Sequence, residues 1–212
     1  MLEKINLINL TLMILPVLLA LTGHEFAHAW AAHRLGDDTA KQAGRLTLNP
    51  LAHLDLLGTI FLLVSQVFGW AKPVPVNPRN FHNPARDMAL VALAGPGLNI
   101  IFALTLGLIL KITFQAGLFG YAALEVPVFR ILNLIALVNL ALGTFNLLPL
   151  PPLDGFQILA SFLPPAWTRF LVDRSYHLIF LIIFVALAYL GVFSRLISYL
   201  AFHFFSAIYS GL

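Results

Sequence analysis

The sequence predicts an all-α polytopic membrane protein of about five to six transmembrane helices, with a short extended or β edge and a re-entrant segment added to them. Three observations predict it. Hydrophobic residues make up 60% of the chain and charged residues only 10%, against roughly 45–50% and about 25% in soluble domains. Apolar stretches of about 18 residues or more recur, each long enough to cross a hydrocarbon core about 30 Å thick. The Lys and Arg residues stand singly between those stretches, where they set orientation in a membrane.

The first helix is predicted over residues 5–35, with Pro16 as an internal kink and a stop at Gly36 ahead of Asp37 and Asp38. Its apolar run exceeds that of a signal peptide, so the segment is expected to be retained. At 1.5 Å per residue the helix is about 45 Å long and must tilt or emerge at one end. His24 then lies about 15 Å from the boundary marked by Arg34, inside the membrane.

Residues 36–52 read as polar turns. The apolar run 54–70 is short and interrupted by Gly58, Ser65 and Gln66. Arg34, Lys41 and Arg45 precede it and Lys72, Arg79 and Arg86 follow it. Basic flanks tend to stay on the cytoplasmic side, so this run is expected to dip in and return. Residues 71–77 carry Pro73 and Pro75, which exclude a helix interior or a central strand and leave an extended edge. Further helices are predicted over 86–114 and 128–148, then a short one over 155–163, with two more from Ser175 onward packed as a hairpin. No repeat, low-complexity tract or linker divides the chain, so residues 1–212 are read as one domain.

Composition also narrows the chemistry. With no cysteine, the chain has no thiol nucleophile and no thiolate ligand, and any metal must sit on His, Asp or Glu. The net charge of +3 is dispersed, which argues against a nucleic-acid partner.

The strongest signal is His24-Glu25-Phe26-Ala27-His28, an H-E-x-x-H on a predicted helix. Residues i and i+4 differ by about 40° around a helix, so both imidazoles leave one face and can share one ion. The glutamate between them then reaches a water. Ionisable residues inside a membrane cost several kcal/mol and mark function, and one metal ion satisfies all three together. Two His ligands call for a third. Asp154 is the best candidate, in the run from Asn146 to Gly155 where Pro149, Pro151 and Pro152 break the fourth helix. The alternative is that Asp154 caps the short helix that follows.

These motifs resemble the site-2 protease family of intramembrane zinc metallopeptidases, in its small prokaryotic branch without appended domains. The resemblance rests on H-E-x-x-H at 24–28, on Ala94-Gly95-Pro96-Gly97-Leu98-Asn99, and on the run from Asn146 to Gly155, in the family's order. It implies one zinc ion on His24, His28 and Asp154, Glu25 as general base, and a membrane-spanning or membrane-anchored polypeptide substrate in a lipid bilayer, the cell membrane of a prokaryote. It also implies that Asn146 helps to position the substrate.

Asn99 is a buried amide that either contacts substrate, holds Asp154 or makes a helix-packing hydrogen bond. His53 and Asp55 are read as interfacial or substrate-facing, and His33, His82, His177 and His203 as structural or solvated. The extended edge at 72–77 is expected to receive an unwound substrate by strand addition, with the Val74 N–H on its open side. A divalent-metal transporter and an inactive membrane-protein-binding homologue are the competing functions. Glu25 weighs against transport, because a carboxylate between two ligating histidines serves hydrolysis. The chain also lacks a Gly-x-Ser-x-Gly elbow and a pair of intramembrane aspartates. Substrate identity, regulation and oligomeric state are not legible.

Overall fold

The computed structural model describes residues 7–65, 71–117, 127–164, 182, 186–187 and 189–209. The chain runs through helices α1 (Leu7–Arg34), α2 (Thr39–Gln42), α3 (Leu56–Ser65), α4 (Pro84–Gln115), α5 (Pro127–Asn146), α6 (Asp154–Phe162) and α7 (Val192–Tyr209). Short 3₁₀ turns lie at Pro50–Ala52 and Pro78–Asn80. α4 is the central element and touches α1, α5, α6 and α7.

α1 stops where Gly36 takes φ +104°. The Asp37 N–H then reaches back to the Ala32 carbonyl at 2.9 Å and the Gly36 N–H to His33 at 3.2 Å, which closes the helix as a Schellman turn. α4 starts equally sharply. Asn83 accepts from the Arg86 N–H, Pro84 fills the first turn, and Asp87 accepts from the Asn83 N–H at 3.0 Å, a reciprocal cap.

The faces of α4 are inverted relative to a soluble helix. Ile101, Leu104, Leu108 and Ile112 are more than half exposed, whereas Gly95, Asn99, Ala103 and Gly107 face inward. Small inward residues let helix backbones approach in lipid, where apolar side chains gain nothing by hiding. A Cβ on Gly143 of α5 would lie 2.8 Å from the Pro96 carbonyl, and one on Gly107 would lie 2.8 Å from Phe204 of α7. Leu110, Phe114, Phe129, Ala136, Phe204 and Ile208 fill the space among α4, α5 and α7. Among the described residues, three helices are long and apolar enough to cross a membrane: Pro84–Gln115, Val128–Asn146 and Val192–Tyr209.

Two expectations change. Residues 72–77 form no regular secondary structure, and no β-strand forms among the described residues; the only pairing beside them is an isolated antiparallel bridge between Leu54 and Ala71. The prolines remove the donors a ladder needs. The expected hairpin after Ser175 lies mostly outside the described residues, which contain α7, and against the expected five to six crossings three helices qualify among the described residues.

α3 has 10 residues and is about 15 Å long, half a hydrocarbon core. The Leu54–Ala71 bridge and the Lys72 N–H to His53 carbonyl bond of 2.8 Å bring both ends of this excursion together. Single cysteines at exposed Lys41 and Arg79 are therefore expected to react with an impermeant reagent from the same side of the membrane. Labelling from opposite sides would establish a full crossing between them.

Candidate metal centre

His24, Glu25 and His28 lie on one face of α1 and are all buried. Their imidazoles press on α4 at Gly95. A Cβ there would lie 2.5 Å from His28 Nε2 and 2.8 Å from His24 Cε1, so only glycine leaves room for both rings. One turn further along α4, Asn99 is 1% exposed and its Oδ1 accepts from His24 Nδ1 at 2.7 Å. His28 Nδ1 donates to the Val91 carbonyl at 2.7 Å.

The third residue comes from the break after α5. Beyond Asn146 the backbone turns through Pro149, Pro151 and Pro152, with a cis bond between the last two. Gly155 then packs on the carbonyls of Leu147 and Leu148, where a Cβ would collide. That contact sets Asp154 at the start of α6. The capping alternative does not describe the result: Leu153 is the N-cap residue, and no side-chain cap bond forms. Asp154 Oδ2 instead lies 3.0 Å from His24 Nε2 and 3.4 Å from His28 Nε2. Apart from those imidazoles this buried oxygen has no hydrogen-bond partner among the described residues.

The donor set fits a zinc ion. Val91 can only accept, so His28 Nδ1 carries its proton and a neutral ring leaves Nε2 as a bare lone pair. The Asn99 amide donates to the Ala20 carbonyl at 3.1 Å, which turns its oxygen toward His24 and leaves His24 Nε2 bare in the same way. Two such lone pairs 3.0 Å apart and a carboxylate oxygen repel one another unless a cation joins them. Tetrahedral zinc with bonds of 2.0–2.1 Å separates its ligands by about 3.3 Å, close to the spacings here.

Glu25 stands outside this triangle. The Val74 N–H donates to its Oε2 at 3.2 Å, which corrects the expectation of an open Val74 donor: the N–H is taken by the glutamate. Residues 71–80 form a strap across Glu25, fastened at both ends by buried charges. Arg45 donates through Nη2 to the carbonyls of Lys72 and Pro73. At the other end Asp37 accepts from the Asn77 N–H and from Asn80 Nδ2, both at 2.7 Å. His53, expected at an interface or facing substrate, is 2% exposed and bonds the Thr47 carbonyl at 2.8 Å. Asp55 accepts from the Gly58 N–H at the start of α3. Asn146 donates to the Leu142 carbonyl of its own helix at 3.0 Å. Asn99, for which substrate contact, a hold on Asp154 and a helix-packing hydrogen bond were the alternatives, has its oxygen on His24 and both amide protons on Ala20 and Asn139. That leaves it no donor for a substrate.

Sequence reasoning missed Asn139, Arg45 and Asp37. Asn139 is 4% exposed, and an amide inside an apolar helix is the same signal that singled out Asn99. The strap contacts of Arg45 and Asp37 lie 28 and 40 residues away in sequence, and the Thr39 bonds to Asp37 mark only a local turn.

Two imidazoles, a carboxylate and a separate glutamate in a helical membrane fold have the layout of a metallohydrolase site. The profile of Peptidase family M50 matches residues 107–191, which include Asp154. YwhC of Bacillus subtilis (strain 168) is 41% identical over 175 residues, 82% of this chain and 80% of that protein. Rip2 of Mycolicibacterium smegmatis is 34% identical over 162 residues, 74% of this chain and 60% of that protein. Rip2 of Mycobacterium tuberculosis (strain H37Rv) is 31% identical over 174 residues, 78% of this chain and 63% of that protein. All three carry the name "Putative zinc metalloprotease". The chain thus spans less than two thirds of the mycobacterial proteins. No solved structure matches it. The chain belongs to peptidase family M50.

Asp37 gives a test of the strap. Burial opposes its ionisation, but hydrogen bonds from Thr39, Asn77 and Asn80 outweigh that and hold its pKa below the usual carboxylate value. Its stabilising contribution is complete above the unfolded value of about 3.9 and is lost as pH falls through the lower folded value. Asp37→Ala is expected to cost about 1–3 kcal/mol at pH 7 and to flatten part of the acid-side loss. Thermal unfolding in detergent at pH 7 and at acid pH checks this, and an unchanged midpoint at pH 7 would contradict it.

Proposed function

We propose that this chain is an intramembrane zinc metalloendopeptidase of the site-2 protease type, resident in the cell membrane of a prokaryote. In this reading it hydrolyses peptide bonds of membrane-spanning polypeptides. The observation that carries it is the convergence of His24 Nε2, His28 Nε2 and Asp154 Oδ2 beside a glutamate that is not one of the three. The names of the relatives support it too. α1, α4, α5 and α7 are taken as four of the five to six crossings, and α3 as the re-entrant element.

Bound zinc supplies Lewis-acid polarisation of a carbonyl and a water acidified toward neutral pH. His24 and His28 would hold the ion through Nε2, and Asp154 would add a negative charge that offsets the ion's own. Glu25 is the general base: one oxygen rests on the Val74 N–H, and the other takes the proton of the attacking water and returns it to the leaving amine. Asn146, half-buried one turn ahead of the proline break, keeps its Oδ1 for a substrate N–H. Asn99 is reassigned from substrate to His24. A helical substrate hides its carbonyls in its own hydrogen bonds, so cleavage requires local unwinding at the site.

Glu25→Gln is expected to lower cleavage of a single-span model substrate by about 100- to 10,000-fold with zinc content unchanged. His24→Ala, His28→Ala and Asp154→Ala are expected to lower zinc content itself. An inactive Glu25→Gln protein without zinc would make Glu25 a ligand, and an Asp154→Ala protein with full zinc and full activity would place the third ligand elsewhere.

A further inference from the structure

Behind the His24 ring the apolar bundle holds a chain of carboxamides whose direction can be read. Asn139 on α5 donates through Nδ2 to the Ile135 carbonyl at 2.8 Å. A backbone carbonyl only accepts, so the Asn139 oxygen must point the other way, toward α4. There it accepts from Asn99 Nδ2 at 2.7 Å. The second Asn99 amide proton goes to the Ala20 carbonyl of α1 at 3.1 Å, and the Asn99 oxygen accepts from His24 Nδ1 at 2.7 Å. Every member is buried, so no water competes for these groups, and reversing any one amide would set oxygen against oxygen.

We propose that Asn139 is a positioning residue for the metal site, acting only through Asn99. Together the two amides hold His24 as the Nδ1–H tautomer with Nε2 turned to the ion. The inference rests on the zinc reading above. His28 needs no such chain, because the Val91 carbonyl does the same for it directly. The asymmetry has a physical origin. His24 faces α4 at the level of its side-chain amide, and the three helices α1, α4 and α5 meet there through Ala20, Asn99 and Asn139. The amide chain therefore ties the orientation of one ligand to the packing of α5, the helix that ends shortly before Asp154.

An acceptor that orients a ligating imidazole is worth roughly 10- to 100-fold in metal affinity. Asn99→Leu is expected to lose zinc affinity in that range, and Asn139→Leu about tenfold. Because Asn139 acts through Asn99, the double variant is expected to bind zinc no more weakly than Asn99→Leu alone, whereas independent packing effects would multiply. Asn139→Asp keeps an acceptor for Asn99 in either protonation state and is expected to stay within about threefold of the natural chain. Competition against a chelator measures the four variants beside the natural chain. ¹⁵N resonances of histidine in the zinc-free natural protein report the tautomer, with His24 expected to be protonated at Nδ1. Natural affinity in Asn139→Leu, multiplying losses in the double variant, a tenfold loss in Asn139→Asp, or an Nε2–H tautomer would each overturn the proposal. If Asn139→Leu does not fold, the aspartate variant and the tautomer still decide. A natural chain without stoichiometric zinc would instead sink the zinc reading, and the tautomer measurement would remain informative by itself.

Discussion

Three electron-rich atoms meet in the apolar interior of this bundle, and their mutual repulsion is the constraint that the surrounding structure answers. Two imidazole lone pairs and a carboxylate oxygen lie 3.0–3.4 Å apart, each buried, and each imidazole has its other nitrogen already committed. Such an arrangement is unstable by itself in a low dielectric. A divalent cation turns it into a bound site, and the rest of the core makes room for that. Gly95 removes the side chain that would collide with both rings, Gly155 seats Asp154 against the end of α5, and the prolines before it end a helix that would otherwise carry the aspartate away.

A second constraint acts on irregular backbone beside a site that we propose lies within the membrane. Such backbone survives only where its polar groups are satisfied by protein. The strap at residues 71–80 meets this with Arg45 on its carbonyls at one end, Asp37 on its amides at the other, and Glu25 on the Val74 N–H between them. The strap and the glutamate therefore position each other. The edge that sequence alone left open for a partner is closed by the residue assigned to the chemistry.

Legibility follows the range of the interactions. Local patterns read well: the helical face shared by His24 and His28, the glycine stop of α1, the proline break before Asp154 and the short helix after it all depend on neighbours within a few residues. What escaped was nonlocal. Whether Val74 faces outward or toward Glu25 depends on a contact 49 residues apart in sequence. The role of Asn99 needed the positions of Ala20 and Asn139, 79 and 40 residues away. The burial of Arg45, Asp37 and His53 could not be read from turns that look solvated one residue at a time.

The central claim is that His24, His28 and Asp154 hold one zinc ion. X-ray absorption at the zinc edge of the purified natural protein, with metal quantified per chain, tests it most directly. The account predicts one zinc per chain in a nitrogen and oxygen shell with the scattering of two imidazoles. A cleaving protein without zinc, or a shell that keeps two imidazoles when His24 is replaced by Ala, would contradict it.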